Sequence, residues 1–212
     1  MKNDSSKSNA KPRPPRPRAV QSHEVRIIGG QYKRTKLAVA DKPGLRPTPD
    51  RVRETLFNWL GQDLSGWRCL DAFAGTGALG FEAASRGAVQ VQLVELDAAL
   101  VAQLKRVQTQ LGADAVQVIR GDAVAALRHA PAASLDLIFL DPPFDSELFE
   151  ASVRAAAPAL KGSGYVYLEA PRRWSDEELQ PLGLQVHRHL KAGMVHAHLL
   201  RRNEPASASA GS

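Results

Sequence analysis

The 212-residue chain contains only one cysteine, Cys69, which excludes an intramolecular disulfide and points to a reducing compartment. It also lacks any apolar run as long as a membrane span, and its first residues lack the apolar core of a secretory signal. Hydrophobic residues nevertheless make up 43% of the chain, more than wholesale disorder allows. These features predict one mid-sized cytoplasmic domain with a real core and no membrane association.

Acidic residues are scarce in the first quarter of the chain. Residues 1–53 contain 14 Lys and Arg against 4 Asp and Glu, a net charge of +10, whereas residues 54–212 carry a net charge of −4. A basic segment on a mildly acidic body is typical of a polyanion-binding arm, so the charge favours nucleic acid as the partner. The alternative is a tail that only increases solubility.

The two ends of the chain differ in composition from its body. Residues 1–22 are basic and rich in proline and serine, and residues 203–212 are rich in alanine and serine, so both are predicted to be disordered tails. Residues 23–45 alternate around Gly29-Gly30, which predicts a basic β-hairpin.

A helix is predicted in the stretch RPTPDRVRETLFNWL. Thr48 is expected to cap it, Pro49 fits the first helical position, and Asp50 suits the positive end of the helix dipole. The apolar stripe that should face the core consists of Val52, Leu56, Trp59 and Leu60.

From residue 68 onward, short apolar segments alternate with helical ones. Five segments are predicted strands: RCLDAF, VQVQLVELD, AVQVI, LDLIFLD and GYVYLE. The helices between them include residues 98–111 and 147–160. This alternation predicts a parallel sheet with helices on both faces, and the segments LQVHRHL and MVHAHLL on either side of a KAG turn predict an antiparallel hairpin that closes the sheet.

The first of these strands leads into a glycine-rich loop, DAFAGTGALG. Gly75, Gly77 and Gly80 form a GxGxxG pattern, which lets the backbone approach a ligand closely at a helix N-terminus but serves several cofactor classes. Glu95 lies at the end of the second strand, where a carboxylate can accept hydrogen bonds from both ribose hydroxyls. These features fit a nicotinamide dinucleotide as well as a nucleoside.

Two further carboxylates favour a cationic nucleoside. Asp71, just before the glycines, would repel a pyrophosphate but suits a cation such as the amino group of a methionine moiety. Asp122 follows the third strand, where it can accept a hydrogen bond from an adenine amino group. A helix cap or turn residue is the alternative at each such position. Together, the three carboxylates and the glycines predict S-adenosylmethionine as the cofactor.

The fourth strand ends in the corner LDLIFLDPPF. Two consecutive prolines stop a strand and stiffen the chain that follows. The Asp141 carboxylate and the Pro142 carbonyl would hold both N–H groups of an exocyclic amine and turn its lone pair toward a methyl donor, while Phe144 would stack on the base. The corner therefore predicts methyl transfer to a nucleobase amine, driven by positioning and by stabilisation of the developing positive charge.

These motifs together resemble the RsmD family of class I methyltransferases. The matching segments are RIIGGQYKRTKL, LRPTPDRVRETLFNWL, DAFAGTGALGFEAASRGA, VELD, FLDPPF and KAGMVHAHLLRR, which follow in order over about residues 25–202. The resemblance implies an α/β, Rossmann-like sheet of seven mostly parallel strands with the last antiparallel, and an N-terminal hairpin that touches RNA. It implies a methyltransferase domain over residues 46–202 that acts as a monomer.

The resemblance also implies the reaction and its residues. Methylation is expected at N2 of one guanine of 16S rRNA within a partly assembled 30S subunit. Cofactor contacts are expected from Asp71, Phe73, Gly75, Thr76, Gly77, Gly80, Glu95, Asp122 and Ala123. Contacts with the target base, as the catalytic set, are expected from Asp141, Pro142, Pro143 and Phe144. RNA contacts are expected from Arg26, Lys33, Arg34, Lys36, Arg46 and Arg51.

The last predicted hairpin carries four histidines, His187, His189, His196 and His198. In each strand the two histidines are separated by one residue, so strand alternation would place them on one face. No established metal-binding spacing accompanies them, so we expect solvated or RNA-facing residues and no metal site.

Three other functions fit parts of the sequence. A DNA adenine-N6 methyltransferase shares the acceptor corner but normally needs a target-recognition segment, for which we expect no room in this chain. An NAD-dependent oxidoreductase would use the glycine pattern and Glu95, but Asp71 and the DPPF corner favour a sulfonium ligand. An RNA-binding assembly factor without catalysis would not need the full set of motifs.

Overall fold

The computed structural model of the chain describes residues 24–40, 48–144 and 147–203. The predicted tail 1–22, all but the first residue of the tail 203–212, and the predicted RNA-binding residue Arg46 lie outside the described residues. Among the helices in the described ranges, none is long and apolar enough to cross a membrane.

Two short strands form an N-terminal hairpin, and seven further strands form the main sheet. The strands are β1 (Glu24–Arg26), β2 (Lys36–Ala38), β3 (Arg68–Asp71), β4 (Gln90–Glu95), β5 (Val116–Arg120), β6 (Leu135–Leu140), β7 (Leu160–Ala170), β8 (Leu184–Ala192) and β9 (Val195–Arg202). The order in the main sheet is β5-β4-β3-β6-β7-β9-β8, and β9 is antiparallel to both of its neighbours, whereas the other pairs are parallel. The predicted Rossmann-like sheet is confirmed.

Helices cover both faces of this sheet. They are α1 (Asp50–Trp59), α2 (Ala78–Ser85), α3 (Ala98–Leu111), α4 (Ala123–His129), α5 (Leu148–Ala159) and α6 (Asp176–Leu179), followed by a 3-10 turn (Gln180–Leu182). The first three helices and the N-terminal hairpin pack on the face that carries Cys69, Phe139 and Tyr167, which we call the hairpin face. The last three pack on the opposite face, which carries Leu70, Ile138 and Leu168.

Local sequence signals fix some helix ends, and distant contacts fix others. Helix α3 has the predicted bounds because the Asp97 side chain accepts hydrogen bonds from two backbone N–H groups at its start and Gly112 ends it with φ 57°. The predicted cap of α1 is wrong. Pro49 occupies the N-cap position with no side-chain cap bond, and the Thr48 hydroxyl instead donates to Glu169, 121 residues away.

The N-terminal hairpin exists, but the predicted turn at Gly29-Gly30 is wrong. Strands β1 and β2 pair from Glu24↔Ala38 to Arg26↔Lys36, so the connecting loop spans residues 27–35. The two glycines lie against the end of α2 rather than at the tip of the hairpin. Gly30 has φ +71°, and a Cβ there would stand 1.8 Å from the Ser85 carbonyl oxygen, so a side chain at this position is sterically excluded.

The C-terminal hairpin forms as predicted, with β9 inserted between β7 and the edge strand β8. A bulge interrupts the pairing between Val186 and Arg188, so the intervening His187 is offset from the alternation of its strand. The expected arrangement of His187 and His189 on one face is therefore wrong. His187 packs beside Tyr165, while His189 pairs with His198.

Candidate functional site

The order of the strands defines a crevice at one edge of the sheet. From β3 the chain continues to β4 and β5 on one side and then returns to add β6 and β7 on the other. Ligands of open α/β sheets bind at such a switch point, beyond the carboxyl ends of the strands. The glycine loop after β3 and the Asp141 corner after β6 stand on either side of it, because Asp71 pairs with Phe139 of β6.

The glycine loop is held in a tight conformation by a carboxylate. Gly75 and Gly77 have φ +52° and +78°, which favour glycine, and Gly77 caps α2. The Glu95 carboxylate at the end of β4 accepts hydrogen bonds from Gly75 N–H (2.9 Å) and Asp97 N–H (2.8 Å). Because Glu95 is half-buried, it both fixes the loop and faces the crevice, where its predicted ribose contact lies within reach.

Asp71 lies beneath the glycine loop rather than on its surface. Its side chain is buried, and its Oδ2 accepts a hydrogen bond from Gly80 N–H at 3.1 Å. Burial raises the pKa of Asp71 to about 7, and the negative charge of Glu95 adds to the shift, while the Gly80 hydrogen bond opposes it. A buried carboxylate whose charge is this costly is stabilised by a cation placed nearby.

The other predicted cofactor residues surround the same crevice. Asp122 follows β5 and is the N-cap of α4, where its side chain accepts a hydrogen bond from Ala125 N–H at 2.8 Å. This is the capping role that the sequence left open. The Asp122 side chain is exposed, Ala123 and Thr76 are buried, and Phe73 is half-buried. Their contacts with a cofactor stay predictions.

The corner DPPF leaves β6 with a half-buried carboxylate. Pro142 is buried, Pro143 is exposed, and the Phe144 ring is 39% exposed and packs 6.4 Å from Phe149, measured between centroids. Burial raises the pKa of Asp141 well above its usual range, and the negative charges of Glu169 and Asp71 raise it further. An acceptor and an accessible aromatic ring therefore stand side by side at this strand end.

A fourth strand-end carboxylate, Glu169 at the end of β7, was not predicted. It is only 3% exposed and accepts hydrogen bonds from the hydroxyls of Thr48 (2.5 Å) and Tyr167 (2.8 Å). The same rule that selected Asp71 and Asp141, a carboxylate that ends a predicted parallel strand, also selects this one in GYVYLE. The signal was therefore present in the sequence.

The predicted RNA-binding residues in the described part of the chain share one property. All of them are exposed: Arg26, Lys33, Arg34, Lys36 and Arg51. The hairpin that carries four of them is anchored by Glu82 of α2, whose carboxylate accepts hydrogen bonds from Ile28 N–H (2.7 Å) and Gly29 N–H (2.8 Å). The exposed cations of the hairpin therefore stand on a fixed support.

Arg53 and Arg86 complete this support on the hairpin face. The fully buried Arg53 side chain donates to Glu82 (3.4 Å), Asp50 (2.6 Å) and the Arg26 carbonyl (2.7 Å). Arg86 pairs with the same Glu82 at 2.8 Å. None of these interactions was predicted from the sequence, because each joins segments that are far apart along the chain.

Three of the four histidines form a cluster between β8, β9 and the segment before α6. His198 is fully buried, and it accepts a hydrogen bond from Trp174 N–H at 3.1 Å. Burial lowers the pKa of His198 to about 4, and the nearby charge of His189 lowers it further. His189 and His196 lie 3.1 Å apart between ring nitrogens. Within residues 24–40, 48–144 and 147–203, no group of three or more such side chains is placed to hold a metal ion.

Comparison with known proteins gives consistent relatives. A family model described as "Conserved hypothetical protein 95" matches residues 25–201. Ribosomal RNA small subunit methyltransferase D of Escherichia coli (strain K12) is 38% identical over 201 residues, which cover 92% of this chain and 98% of the relative. The protein of the same name from Haemophilus influenzae is 42% identical over 154 residues, which cover 70% of this chain and 80% of the relative.

A solved structure agrees with the sequence relatives. The putative methyltransferase yhhF from Escherichia coli superposes with a TM-score of 0.74 at 38% identity, covering 86% of this chain and 100% of that chain. The similarity therefore includes the hairpin face, the crevice and the DPPF corner.

Proposed function

Because this chain belongs to the RsmD family of small-subunit ribosomal RNA methyltransferases, we propose that it transfers a methyl group from S-adenosylmethionine to the exocyclic N2 of a specific guanine in 16S rRNA. The observation that carries the proposal is the place of Asp141. Its carboxylate ends β6, directly across the switch point from the glycine loop that follows β3. A donor in the loop and an amine at the corner would therefore meet in one crevice.

The residues of the crevice fit S-adenosylmethionine. The positive φ angles of Gly75 and Gly77 allow close backbone approach, and the partly exposed Glu95 carboxylate is available to ribose hydroxyls. Asp71 and Asp141 make the crevice acidic, which suits a sulfonium cation and opposes a pyrophosphate. When bound, this cofactor supplies an electrophilic methyl group.

The protein's contribution to the reaction is to orient the amine. The N2 lone pair of guanine is conjugated into the ring, which makes it a poor nucleophile. The Asp141 carboxylate and the Pro142 carbonyl accept the two N2 hydrogens and direct the lone pair toward the methyl carbon, and Phe144 stacks on the base. As the N–C bond forms, the Asp141 charge stabilises the developing positive charge, and the proton leaves to Asp141 or to water.

The basic hairpin supports an RNA substrate. Arg26, Lys33, Arg34 and Lys36 are exposed on the hairpin, and Arg51 is exposed on α1, so they offer a cationic surface to phosphates. The target guanine has to leave its stack to reach the corner, which costs least in a loop. We propose a partly assembled 30S subunit as the substrate, acted on by a monomer in the cytoplasm.

Substitution of Asp141 tests the proposal. With 30S precursor particles and labelled cofactor, Asp141→Ala should lower turnover by about 10²- to 10³-fold while RNA affinity stays unchanged. Asp136→Ala is the matched control, because Asp136 lies at the other end of the same strand, where it pairs with Lys161 at 2.8 Å. Unchanged turnover in Asp141→Ala would contradict the assigned role.

Two measurements separate the alternatives. Mass mapping of ribosomal RNA from cells that lack the gene should show one missing N2-methylguanosine; loss of an N6-methyladenosine instead would favour an adenine methyltransferase. Calorimetry with S-adenosylmethionine and with NAD should give binding of the first alone. Binding of NAD alone would support the oxidoreductase alternative.

A further inference from the structure

We infer that Glu169 is a positioning residue for this reaction, which ties the start of α1 to the strand ends and holds a negative charge beside Asp141. The inference rests on the proposed function, because it concerns the same acceptor corner. It assigns a role to a carboxylate that the sequence motifs leave out.

The sheet register places the two carboxylates side by side. Leu140 of β6 pairs with Leu168 of β7, so the next residue of each parallel strand, Asp141 and Glu169, stand opposite one another at the same edge. Strand alternation gives both the side of Phe139 and Tyr167, which is the hairpin face. Glu169 is 3% exposed, so its charge acts on Asp141 from within the protein rather than through water.

Glu169 fixes the chain that leads into α1. Its Oε1 accepts the Thr48 hydroxyl at 2.5 Å, and Arg53 Nε donates to the Thr48 carbonyl at 3.2 Å. Thr48 is thus held through both its side chain and its backbone, immediately before the Pro49 cap of α1. Since α1 covers the hairpin face beneath the corner, this link fixes the helix relative to the acceptor.

The charged and titratable groups around the pair favour ionisation of one member. Thr48 and Tyr167 donate to Glu169, and the Arg53 cation of α1 lies near, so all three favour its charged form, in opposition to burial. Asp141 has no such support: burial raises its pKa most, followed by the charges of Glu169 and of Asp71 from β3. The negative charge therefore belongs to Glu169, and Asp141 is the stronger acceptor once it is ionised.

Glu169→Gln removes the charge but keeps an oxygen that can accept from Thr48 and Tyr167. Two readouts follow Asp141: titration of its side-chain carboxyl by ¹³C NMR in the protein without substrate, and the acidic limb of the kcat profile against pH. Both should move to lower pH in Glu169→Gln, because a neighbouring negative charge is lost. Glu150→Gln, at an exposed ion pair with Arg154, is the control and should move neither.

Thr48 tests the mechanical part separately. Thr48→Val removes the tether and keeps the charge, so kcat should fall about tenfold, while Thr48→Ser should restore it. Wild-type kcat in Thr48→Val would overturn the positioning role, and this comparison also decides the matter if Glu169→Gln does not fold.

The outcomes distinguish this inference from the proposed function. If a folded Glu169→Gln protein shows the wild-type titration of Asp141, the inference is overturned even where guanine methylation is confirmed. If the wild type methylates no guanine, the proposed function fails, and a lowered titration of Asp141 still supports the coupling of the two carboxylates.

Discussion

Two clusters of buried charged side chains lie on the same face of the sheet. Between α1 and α2, Glu82 is compensated by Arg53 and Arg86, which approach it at 3.4 Å and 2.8 Å. At the strand ends, Asp71 and Asp141 have raised pKa values because burial and neighbouring carboxylates disfavour their charge. The first cluster balances its own charge, and the second leaves an excess of negative charge in a crevice.

This difference separates structure from function. A buried ion pair with good geometry fixes the elements that it joins, here the N-terminal hairpin and the helices beneath it. A buried group of like charges is costly for the fold and is retained where a ligand or a reaction needs it. The acidic crevice therefore marks the site, although the residue types in the two clusters overlap.

The largest expected effect comes from breaking the balanced cluster. Arg53→Met should destabilise the fold by about 3–5 kcal/mol, because it leaves Glu82 buried with one partner fewer and removes the bonds to Asp50 and the Arg26 carbonyl. Urea denaturation gives the free energy of unfolding. A loss below about 1 kcal/mol would show that this cluster does not hold the hairpin in place.

The next effect reverses the sign, because a costly charge is removed. The folded pKa of Asp71, about 7, lies above the model value of 3.8, so the folded state binds more protons between these values and stability falls as pH rises from about 4 to about 7. Asp71→Asn should abolish that slope, which amounts to at most about 4 kcal/mol.

Urea denaturation of both proteins at a series of pH values tests this. The difference in unfolding free energy should change steadily between about pH 4 and 7 in favour of the variant and stay level above. A constant difference across that range would mean that Asp71 ionises in the fold as it does in water.

The two clusters also differ in how much of them the sequence predicts. Asp71 and Asp141 follow from local pattern, because each ends a recognisable apolar strand. Arg53, Glu82 and Arg86 carry no such pattern: Arg53 and Glu82 are 29 residues apart, and only the packing of α1 on α2 brings them together. Sequence therefore predicted the acidic crevice and missed the cluster that supports it.

Helix boundaries show the same division. The ends of α3 follow from Asp97 and Gly112, both of which act within a turn of the helix. Thr48 has the residue type of a cap, but Glu169 takes its hydroxyl, and a partner 121 residues away has no local signature. Local chemistry was predictable wherever no distant group competed for it.

A smaller effect is expected where α2 meets the acidic crevice. A Cβ on Gly80 would stand 2.1 Å from Leu93 Cδ2 and 3.2 Å from Asp71 Oδ2, so Gly80→Ala should push α2 away and lose about 1–3 kcal/mol of unfolding free energy. Gly162→Ala is the control, since a Cβ there meets nothing within 4 Å. Equal stability of the two variants would mean that α2 tolerates displacement.

The smallest effect should come from an ion pair outside both clusters. Arg154 and Glu150 lie 2.7 Å apart on α5, closer than Arg53 and Glu82, but their side chains are 63% and 66% exposed. Water already solvates both charges, so Arg154→Ala should cost no more than about 0.5 kcal/mol, and added salt should reduce even that. The contrast with Arg53→Met, measured by the same denaturation, isolates burial as the cause, because the shorter contact is the weaker one. A loss from Arg154→Ala comparable to that from Arg53→Met would show instead that contact distance governs these pairs.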